Sequence, residues 1–233
     1  MKPNYGIDAP IVVRNMLCAG VLFLSLGFFL PVPEPFGVCC LWVGGSWVLT
    51  AGLMVFGSKV LKLRLREKIV TSLNLRGTER VLDMGCGRGL LLLGVAKRLP
   101  HGRAVGIDLW QSADQSANDP EVTKANARLE RVDDCIDIIT GDMRDMPLDT
   151  DSFDFVVSSW AIHNIPDSAG RRKAIQEAVR VLKPGGKLVI MDIFAAKDYA
   201  EALKAFKMLD VKLSNPNFTF VIPSRTVTAT KRN

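Results

Sequence analysis

The sequence predicts an α/β fold in which a doubly wound, mostly parallel sheet is preceded by a two-helix transmembrane hairpin. Two observations lead to this prediction. From about residue 79 onward, short apolar runs of β type alternate with helical runs, and such alternation favours a parallel sheet covered on both faces. Before that point, residues 15–57 contain a single charged residue, Glu34, and long uncharged stretches are typical of membrane-spanning helices.

Two apolar runs, about residues 15–32 and 36–57, form the predicted hairpin. A spanning helix needs about 20 apolar residues, a length that the second run meets and that the first approaches when Val32 is included. The intervening segment Pro31-Val32-Pro33-Glu34-Pro35 predicts a tight turn, because proline cannot continue a helix. A cleaved signal peptide and a hairpin buried within a soluble protein are the two alternatives left open.

The basic residues around the hairpin predict its orientation. They are dense after the second run, and Lys2 and Arg14 flank the first, whereas the loop between the runs has none. The positive-inside rule therefore places both ends of the hairpin in the cytoplasm. The sequence thus predicts an integral membrane protein with its globular domain on the cytoplasmic side. Glycines in both runs (positions 20, 27, 44, 45, 52 and 57) would let the two helices pack closely.

Residues 58–76 form a basic linker, in which six basic residues stand against Glu67. Basic and apolar residues alternate here, and two interpretations remain open: a helix with one buried face, or an amphipathic segment lying on anionic lipid. The remaining residues, 77–233, are close to neutral and are expected to form the globular domain. Because the net charge of +6 is concentrated in the linker, the sequence argues against a nucleic-acid partner.

The cysteine and histidine content argues against a metal site. The chain has five cysteines and two histidines, and no two cysteines form a CxxC pair. A structural zinc site needs four such ligands at close spacing, and a secreted disulfide framework needs an ordered cysteine pattern. We therefore expect reduced thiols and no metal.

The elements of the globular domain are predicted in a regular order. The predicted strands are 80–84, 104–108, 137–140, 153–158 and 186–193, and the predicted helices are 90–99, 121–131, 171–182 and 199–209. Two further short runs, 218–222 and 226–230, are too close together for a crossover helix. They are therefore expected to pair with each other as an antiparallel hairpin.

The strongest motif is the glycine-rich turn Asp83-Met84-Gly85-Cys86-Gly87-Arg88-Gly89, which follows the first predicted strand. Glycines let a backbone approach a ligand closely, and ligands in this fold class lie at the carboxyl ends of the strands. The spacing is GxGxG and not the GxGxxG of dinucleotide-binding proteins. A carboxylate at Asp83 would repel a pyrophosphate, whereas it suits a cationic ligand or a hydroxyl.

Acidic residues stand at the end of the second predicted strand and just after the third. Asp108, in Gly106-Ile107-Asp108, is placed to accept hydrogen bonds from both ribose hydroxyls of a nucleoside. In Gly141-Asp142-Met143, a polar and an apolar side chain can hold an adenine ring by its amino group and its face. Each of these motifs is common alone, but their order and spacing together are specific. The segment 152–164 and the turn Leu182-Lys183-Pro184-Gly185-Gly186 complete the set.

In these motifs and their order, residues from about 79 to 230 resemble the class I S-adenosylmethionine-dependent methyltransferases. The resemblance implies a seven-stranded sheet with an antiparallel last strand, and the cofactor S-adenosylmethionine, which is released as S-adenosylhomocysteine. It also implies site residues: Asp83, Gly85 and Gly87 beside the methionine moiety with Cys86 as a small filler, Asp108 at the ribose, Leu109, Trp110, Asp142 and Met143 around the adenine, and Ser158 on the floor near the sulfonium. The family does not require a hairpin. Many members also insert a substrate-covering element, for which the segment between Ile193 and Phe218 leaves little room.

Methyl transfer mainly requires an acceptor held opposite the leaving sulfur in a dry site. A base is needed only where the acceptor must lose a proton, and the candidate is His163, about five residues after the fourth strand, with Asn164 in a shared polar role. Trp160 is either a wall of the acceptor pocket or a core residue. Tyr5 and Asp8 are expected to lie in a disordered terminus, the alternative for Tyr5 being a cation–π contact with the sulfonium.

The predicted function is a membrane-anchored S-adenosylmethionine-dependent methyltransferase. Its acceptor would be small and lipophilic or membrane-associated: a lipid, a quinone or isoprenoid, a thiol or a phenol. Methylation of a membrane protein and non-catalytic cofactor binding remain as alternatives, and the oligomeric state is left open. A short-chain dehydrogenase is disfavoured because the chain has no Tyr-x-x-x-Lys pair. A nucleic-acid amino-methyltransferase is disfavoured because residues 159–162, Ser-Trp-Ala-Ile, replace the expected Asn/Asp-Pro-Pro-aromatic run.

Overall fold

The computed structural model describes residues 2–31, 33–111, 118–218 and 223–233, and its globular part is built on one mixed sheet. The strands are β1 (Arg80–Met84), β2 (Arg103–Asp108), β3 (Ile136–Thr140), β4 (Phe153–Ser159), β5 (Leu182–Asp192), β6 (Leu209–Leu213) and β7 (Arg225–Thr230). Within the described ranges these seven strands lie in the order β3-β2-β1-β4-β5-β7-β6. Of these strands, β7 alone runs opposite to the other six, and the predicted fold class is therefore confirmed.

Helices cover both faces of this sheet. The helices are α1 (Pro10–Phe29), α2 (Glu34–Phe56), α3 (Lys62–Leu73), α4 (Leu90–Ala96), α5 (Pro120–Glu130), α6 (Ser168–Val181) and α7 (Ala196–Ala205). Because side chains alternate along a strand, Leu82 and Met84 of β1 join a core with α6 and α7, whereas Val81 joins a second core with α3, α4 and α5. Because β1 to β5 run parallel, their carboxyl ends lie together along one edge of the sheet.

The end of the chain differs from the prediction. Among the described residues, β7 pairs antiparallel with β5 and with β6, whose strand was not predicted. Of its predicted partner, the run 218–222, residues 219–222 lie outside the described residues. The sequence predicts that Leu209 lies in a helix, but α7 ends at Ala205 and the chain reverses through Lys207, whose φ is 59°. The alternation of Leu209, Val211 and Leu213 with charged residues is the signal of a strand that was missed.

The Leu-Lys-Pro-Gly-Gly turn also differs from the prediction, because it lies within β5 and does not precede it. Pairing with β4 jumps from Phe153 opposite Leu182 to Phe155 opposite Lys187, so residues 183–186 bulge out of the ladder. Gly185 has a φ of 74°, a conformation that glycine adopts at little cost. The proline and glycines therefore interrupt the strand without ending it.

α1 and α2 pack against each other as an antiparallel hairpin with a close glycine contact. A Cβ atom added to Gly20 would lie 2.8 Å from Val48, and one added to Gly44 would lie 2.7 Å from the Gly20 carbonyl oxygen. Gly27 is similarly close to α2, whereas Gly45 faces open space. Small residues at these crossing points let the two backbones approach, as the glycine pattern in part predicts.

Both helices of the hairpin begin earlier than the sequence predicts. α1 begins at Pro10 and α2 at Glu34, because a proline in the first turn lacks only an N–H that has no partner there. By length and composition both helices are able to cross a membrane. In the most apolar 18-residue stretch of each helix, few residues are buried within the protein: 11% in α1 and 17% in the helix that continues from α2.

No flexible linker separates α2 from the globular part. α2 continues through a π-helical turn, Gly57–Leu61, directly into α3, so that Glu34–Leu73 is one helix of 40 residues. Leu65, Ile69 and Leu73 of α3 are buried in the core that contains α4. Of the two interpretations of the basic linker, the structure therefore favours a helix with one buried face.

The residues before α1 are held against the globular part, and the expectation of a disordered terminus is wrong. The hydroxyl of Tyr5 donates to Glu130 at 2.7 Å, and the ring is 6% exposed. The ammonium group of Lys62 donates to the carbonyl oxygens of Tyr5 and Gly6, both at 2.8 Å, and lies 3.3 Å from a carboxylate oxygen of Asp8. We call these contacts the N-terminal clamp.

Replacing Lys62 by Met is expected to lower the free energy of unfolding by about 2–4 kcal/mol, because buried acceptors of the N-terminal clamp lose a charged donor. For a chain of this size that corresponds to a melting temperature lower by roughly 5–15 °C, measured in detergent. Lys59→Met changes an exposed lysine in the adjoining turn and is the matched control. Equal melting temperatures for the two variants would contradict the role given to the clamp.

Candidate active site

A cavity of about 420 Å³ opens at the carboxyl ends of the parallel strands. It brings together ten of the twelve residues predicted for the site: Asp83, Gly85, Cys86, Gly87, Asp108, Leu109, Asp142, Met143, His163 and Asn164. Trp160 also lines the cavity. The loops that follow β1, β2, β3 and β4 each contribute, as the topology of a doubly wound sheet requires.

The remaining two predicted residues, Ser158 and Trp110, do not line the cavity. Ser158 is 1% exposed and its hydroxyl donates to the carbonyl oxygen of Met84 at 2.8 Å. Since successive strand residues face opposite ways, its neighbour Ser159 lines the cavity instead. The indole nitrogen of Trp110 donates to the hydroxyl of Thr140 at 2.8 Å.

Asp83 is the most unusual side chain of the cavity. It is 2% exposed, and neither of its carboxylate oxygens makes a hydrogen bond of good geometry with the described residues, although the backbone N–H of Leu92 is close enough to lower its pKa slightly. Burial, together with the nearby charge of Asp108, raises the pKa of Asp83 to about 7. A buried carboxyl group without partners is costly, and a cationic ligand group would relieve that cost.

The glycine-rich loop is tied to the end of β2. The backbone N–H groups of Gly85 and Cys86 donate to the carbonyl oxygen of Ile107 at 2.8 and 3.2 Å. The carboxylate of Asp108 accepts from the N–H of Gly87 at 2.8 Å and from that of Trp110 at 2.7 Å. Asp108 therefore holds the loops after β1 and β2 in one arrangement.

Cys86 lies in this loop as a buried thiol. Burial, with smaller contributions from the nearby Asp83 and Asp108, raises its pKa well above the ordinary value. The thiol thus stays protonated at neutral pH, and a protonated thiol is a poor nucleophile. The side chain fills space against Gly106, where an added Cβ would lie 2.7 Å from the sulfur.

A second group of polar side chains surrounds His163. Its Nδ1 lies 2.6 Å from a carboxylate oxygen of Asp192, which is 1% exposed, and the hydroxyl of Tyr199 donates to Asp192 at 3.1 Å. Burial and the adjacent Asp192 raise the pKa of Tyr199 far above its ordinary value, so this hydroxyl remains a donor. With Nδ1–H directed to Asp192, Nε2 carries the lone pair and is the ring atom able to accept a proton.

Residues 82–190 match the protein family described as a methyltransferase domain. The chain contains a methyltransferase domain. The family predicted from the motifs is thereby confirmed, and the matched residues run from β1 to near the end of β5.

Curated relatives of the methyltransferase domain include enzymes named for quinones. A demethylmenaquinone methyltransferase of Symbiobacterium thermophilum is 29% identical over 139 residues, which are 59% of this chain and 51% of the relative. A ubiquinone/menaquinone biosynthesis C-methyltransferase of Ruegeria is 32% identical over 117 residues, or 50% of this chain and 43% of the relative. The chain thus spans about half the length of the curated relatives it matches.

The fold of the methyltransferase domain is shared with solved structures. A putative S-adenosylmethionine-dependent methyltransferase from Methanococcus maripaludis superposes with a TM-score of 0.60 at 18% identity. The match covers 76% of this chain and 90% of that one. At this identity the likeness concerns the fold alone.

Within the methyltransferase domain, Asp142 is already engaged by a neighbour. Its carboxylate pairs with the guanidinium group of Arg144 at 2.6 Å, and this hydrogen bond lowers the pKa of Asp142. Because both oxygens accept from Arg144, a ligand amino group at this position has to share the carboxylate with Arg144.

Sequence reasoning missed Asp192 and Tyr199. The signal for Asp192 was present, since it is an acidic residue at the carboxyl end of a predicted strand, where Asp83 and Asp108 also lie. Tyr199 has no such signal, because its contact with Asp192 depends on how α7 packs on β5. The sequence also did not indicate that Asp8, Ala9, Met54 and Lys62, which precede the methyltransferase domain, line its cavity.

Replacing Gly85 by Ala is expected to abolish ligand binding at the glycine-rich loop and to lower stability. Gly85 has a φ of 72°, and an added Cβ would overlap the side chain of Ala161. Overpacking and left-handed strain each cost about 1–3 kcal/mol. Calorimetric titration with S-adenosylhomocysteine measures the effect. Gly45→Ala, which meets open space in the hairpin, is the control, and an unchanged affinity in Gly85→Ala would contradict the assignment.

Proposed function

We propose that this protein is an S-adenosylmethionine-dependent methyltransferase, anchored in a membrane by α1 and α2, whose acceptor is lipophilic and loses a proton during the reaction. The observation that carries the proposal is the pairing, in one cavity, of an unpartnered buried carboxyl group at Asp83 with the His163–Asp192 pair. The first suits a cationic methyl donor, and the second suits a base.

The residues of the cavity fit S-adenosylmethionine. Asp83 would hold the ammonium group of the methionine moiety. Asp108 would accept from the ribose hydroxyls in place of its 3.1 Å bond from the Asn118 amide, while it retains its bonds to the N–H groups of Gly87 and Trp110. Because Gly85 and Gly87 have no side chains, the backbone of the loop can approach the bound cofactor closely. Bound S-adenosylmethionine supplies a methyl group activated by attachment to a positively charged sulfur.

His163 would take the acceptor's proton at Nε2. Asp192 holds the ring by Nδ1 and stabilises the imidazolium that results, as a buried carboxylate does beside other catalytic histidines. This arrangement helps an acceptor that is a phenol, a hydroquinone or its ring carbon, or a thiol. An acceptor such as a tertiary amine has no proton to lose and would need no base.

The hairpin supports a membrane location for the enzyme. Its helices are long, apolar and little buried, and the basic residues that follow α2 predict that its ends face the cytoplasm. The curated relatives named for demethylmenaquinone and ubiquinone point in the same direction for the acceptor. A quinone-type ring with a lipophilic tail is therefore the acceptor class that we favour.

The experiment uses the full chain in nanodiscs with methyl-labelled S-adenosylmethionine and a membrane extract. We expect label in the organic fraction, and at least about 30-fold less with Asp83→Asn when S-adenosylmethionine is kept below its dissociation constant. Label in the protein fraction alone would replace the lipophilic acceptor by a membrane protein. Cofactor binding without transfer to any fraction would favour a non-catalytic binding protein and contradict the proposal.

A further inference from the structure

The cavity extends beyond the candidate cofactor residues to the base of the hairpin. Ala9, which directly precedes α1, and Met54, in the last turn of α2, line the same cavity as Asp83 and His163. Neither Ala9 nor Met54 lies within the matched methyltransferase domain, residues 82–190. The hairpin is thus part of the wall of the candidate active site as well as an anchor.

The wall between the hairpin and His163 is largely apolar. Leu65 and Ile69 of α3 face the cavity from one side, and Trp160 and Met191 contribute from the ends of β4 and β5. Leu65, Ile69 and Met191 are each less than a tenth exposed. An apolar tail lying along this wall would be removed from water over its length.

Two of the cationic groups that line the cavity beside the hairpin, Lys62 and Arg66, already have partners. Lys62 is bound by the N-terminal clamp, with Asp8 at 3.3 Å. Arg66 pairs with Glu67 at 2.9 Å and donates to the hydroxyl of Tyr5 at 3.2 Å. An apolar group that passes these side chains does not have to strip water from an unpaired ion, which would be costly.

Part of the cavity lining is polar. Gln111, Arg144 and Asn164, which follow β2, β3 and β4, belong to it, and Gln111 and Asn164 are exposed. A polar opening of this kind suits the exchange of a charged, water-soluble cofactor. The polar and the apolar parts of the lining therefore suit different ligands.

The geometry points to an entrance for the acceptor between Ala9 and Met54, through which its isoprenoid or alkyl tail passes from the bilayer. This inference rests on the proposed function and names the route to that site. The reactive ring would reach His163, while the tail stays along Leu65 and Ile69 and leaves the cavity past Met54. Met54 is then the residue that determines which tails are admitted.

The test follows a photoreactive probe and requires no turnover. The probe is a farnesylated phenol with a diazirine on its phenol ring, the group expected to reach His163, and it is added to the full chain in nanodiscs of phosphatidylcholine and phosphatidylglycerol. In the unmodified chain we expect label on the peptide that contains Trp160. In Met54→Trp the indole would obstruct the entrance, and we expect at least about fivefold less label on that peptide.

Leu53→Trp is the matched control, because Leu53 is the preceding residue of the same helix and is 48% exposed. In this variant the amount of label on the Trp160 peptide should be within about twofold of that in the unmodified chain, since the substitution leaves the packed wall unchanged. Met54→Ala should keep or raise the labelling, which separates obstruction from general damage. The affinity of every variant for S-adenosylhomocysteine verifies that the fold is retained.

Two results would overturn the inference: equal labelling of the Trp160 peptide in Met54→Trp and Leu53→Trp, or no label on that peptide in the unmodified chain. Methyl transfer to the organic fraction of a membrane extract is measured separately. Transfer that persists while the labelling fails would remove the route alone. Labelling as expected without any transfer would instead remove the proposed function.

Discussion

Replacing Asp83 by Asn is expected to weaken binding of S-adenosylhomocysteine by at least about 30-fold, because removing one partner of a buried charge pair costs about 2–5 kcal/mol. Asn keeps the size of the side chain but not its negative charge. Isothermal titration of the full chain in detergent measures the dissociation constant. Asp151→Asn is the control, because this exposed carboxylate lies just before the amino end of β4, away from the cavity at the carboxyl ends of the strands.

The same substitution is expected to stabilise the unliganded protein at high pH. The pKa of Asp83 is about 7 in the folded protein and near its ordinary value of about 4 in the unfolded chain. A raised pKa contributes stability in full below about pH 4, and this contribution is lost as the pH rises through 7. The difference is at most about 4 kcal/mol.

The melting temperature of Asp83→Asn should therefore exceed that of the unmodified chain at pH 8 and approach it at pH 5. The comparison between the two proteins removes the effect of other titrating groups. Bound S-adenosylhomocysteine should cancel the difference at pH 8, because its ammonium group favours the ionised carboxylate. A pH-independent difference between the two unliganded proteins would show that Asp83 ionises normally and would remove this argument for a cation site.

Replacing Asp192 by Asn is expected to lower kcat by about 10²–10⁴-fold, the range that correctly oriented general bases contribute. The amide keeps the side chain's shape, but its NH₂ group can donate to Nδ1 of His163. This favours the tautomer with the proton on Nε2, which then cannot accept the acceptor's proton. Methyl transfer to the organic fraction is the assay. KM for the acceptor and the affinity for S-adenosylhomocysteine should change by less than about threefold if the effect is on the base alone.

Tyr199→Phe provides the comparison for this prediction. It removes one hydrogen bond to Asp192, while the bond between Asp192 and His163 is retained, so kcat should fall by less than about tenfold. An Asp192→Asn variant with the same kcat as Tyr199→Phe would show that Asp192 has a structural role. His163→Gln with full activity would remove the base from the mechanism altogether.

Much of the candidate site could be predicted because its signals are local. Asp83 and Asp108 each end a strongly apolar β run, and parallel strands bring such ends to one edge of the sheet. The choice between Ser158 and Ser159 could not be made in this way. A shift of one residue turns a strand side chain to the other face, and pairing with β1 and β5 decides that register.

The N-terminal clamp lay beyond sequence reasoning for a different reason. Tyr5 and Glu130 are 125 residues apart in the chain, and no periodicity relates an isolated tyrosine to a glutamate on a distant helix. The same holds for Met54, whose place in an apolar run predicts a lipid-facing residue, whereas its position in the cavity depends on how α3 docks. Contacts of this kind arise from tertiary packing and leave no local pattern.

In the proposed topology, bilayer thickness would influence how the catalytic part stands on the membrane. α2 has 23 residues, about 34 Å at 1.5 Å per residue, whereas a typical hydrocarbon core measures about 30 Å. A helix longer than this core responds by tilting. Because α2 continues into α3, which is buried in the core, a change of tilt would be transmitted to the whole domain. Lipid composition would then act on the enzyme mechanically, in addition to supplying its acceptor.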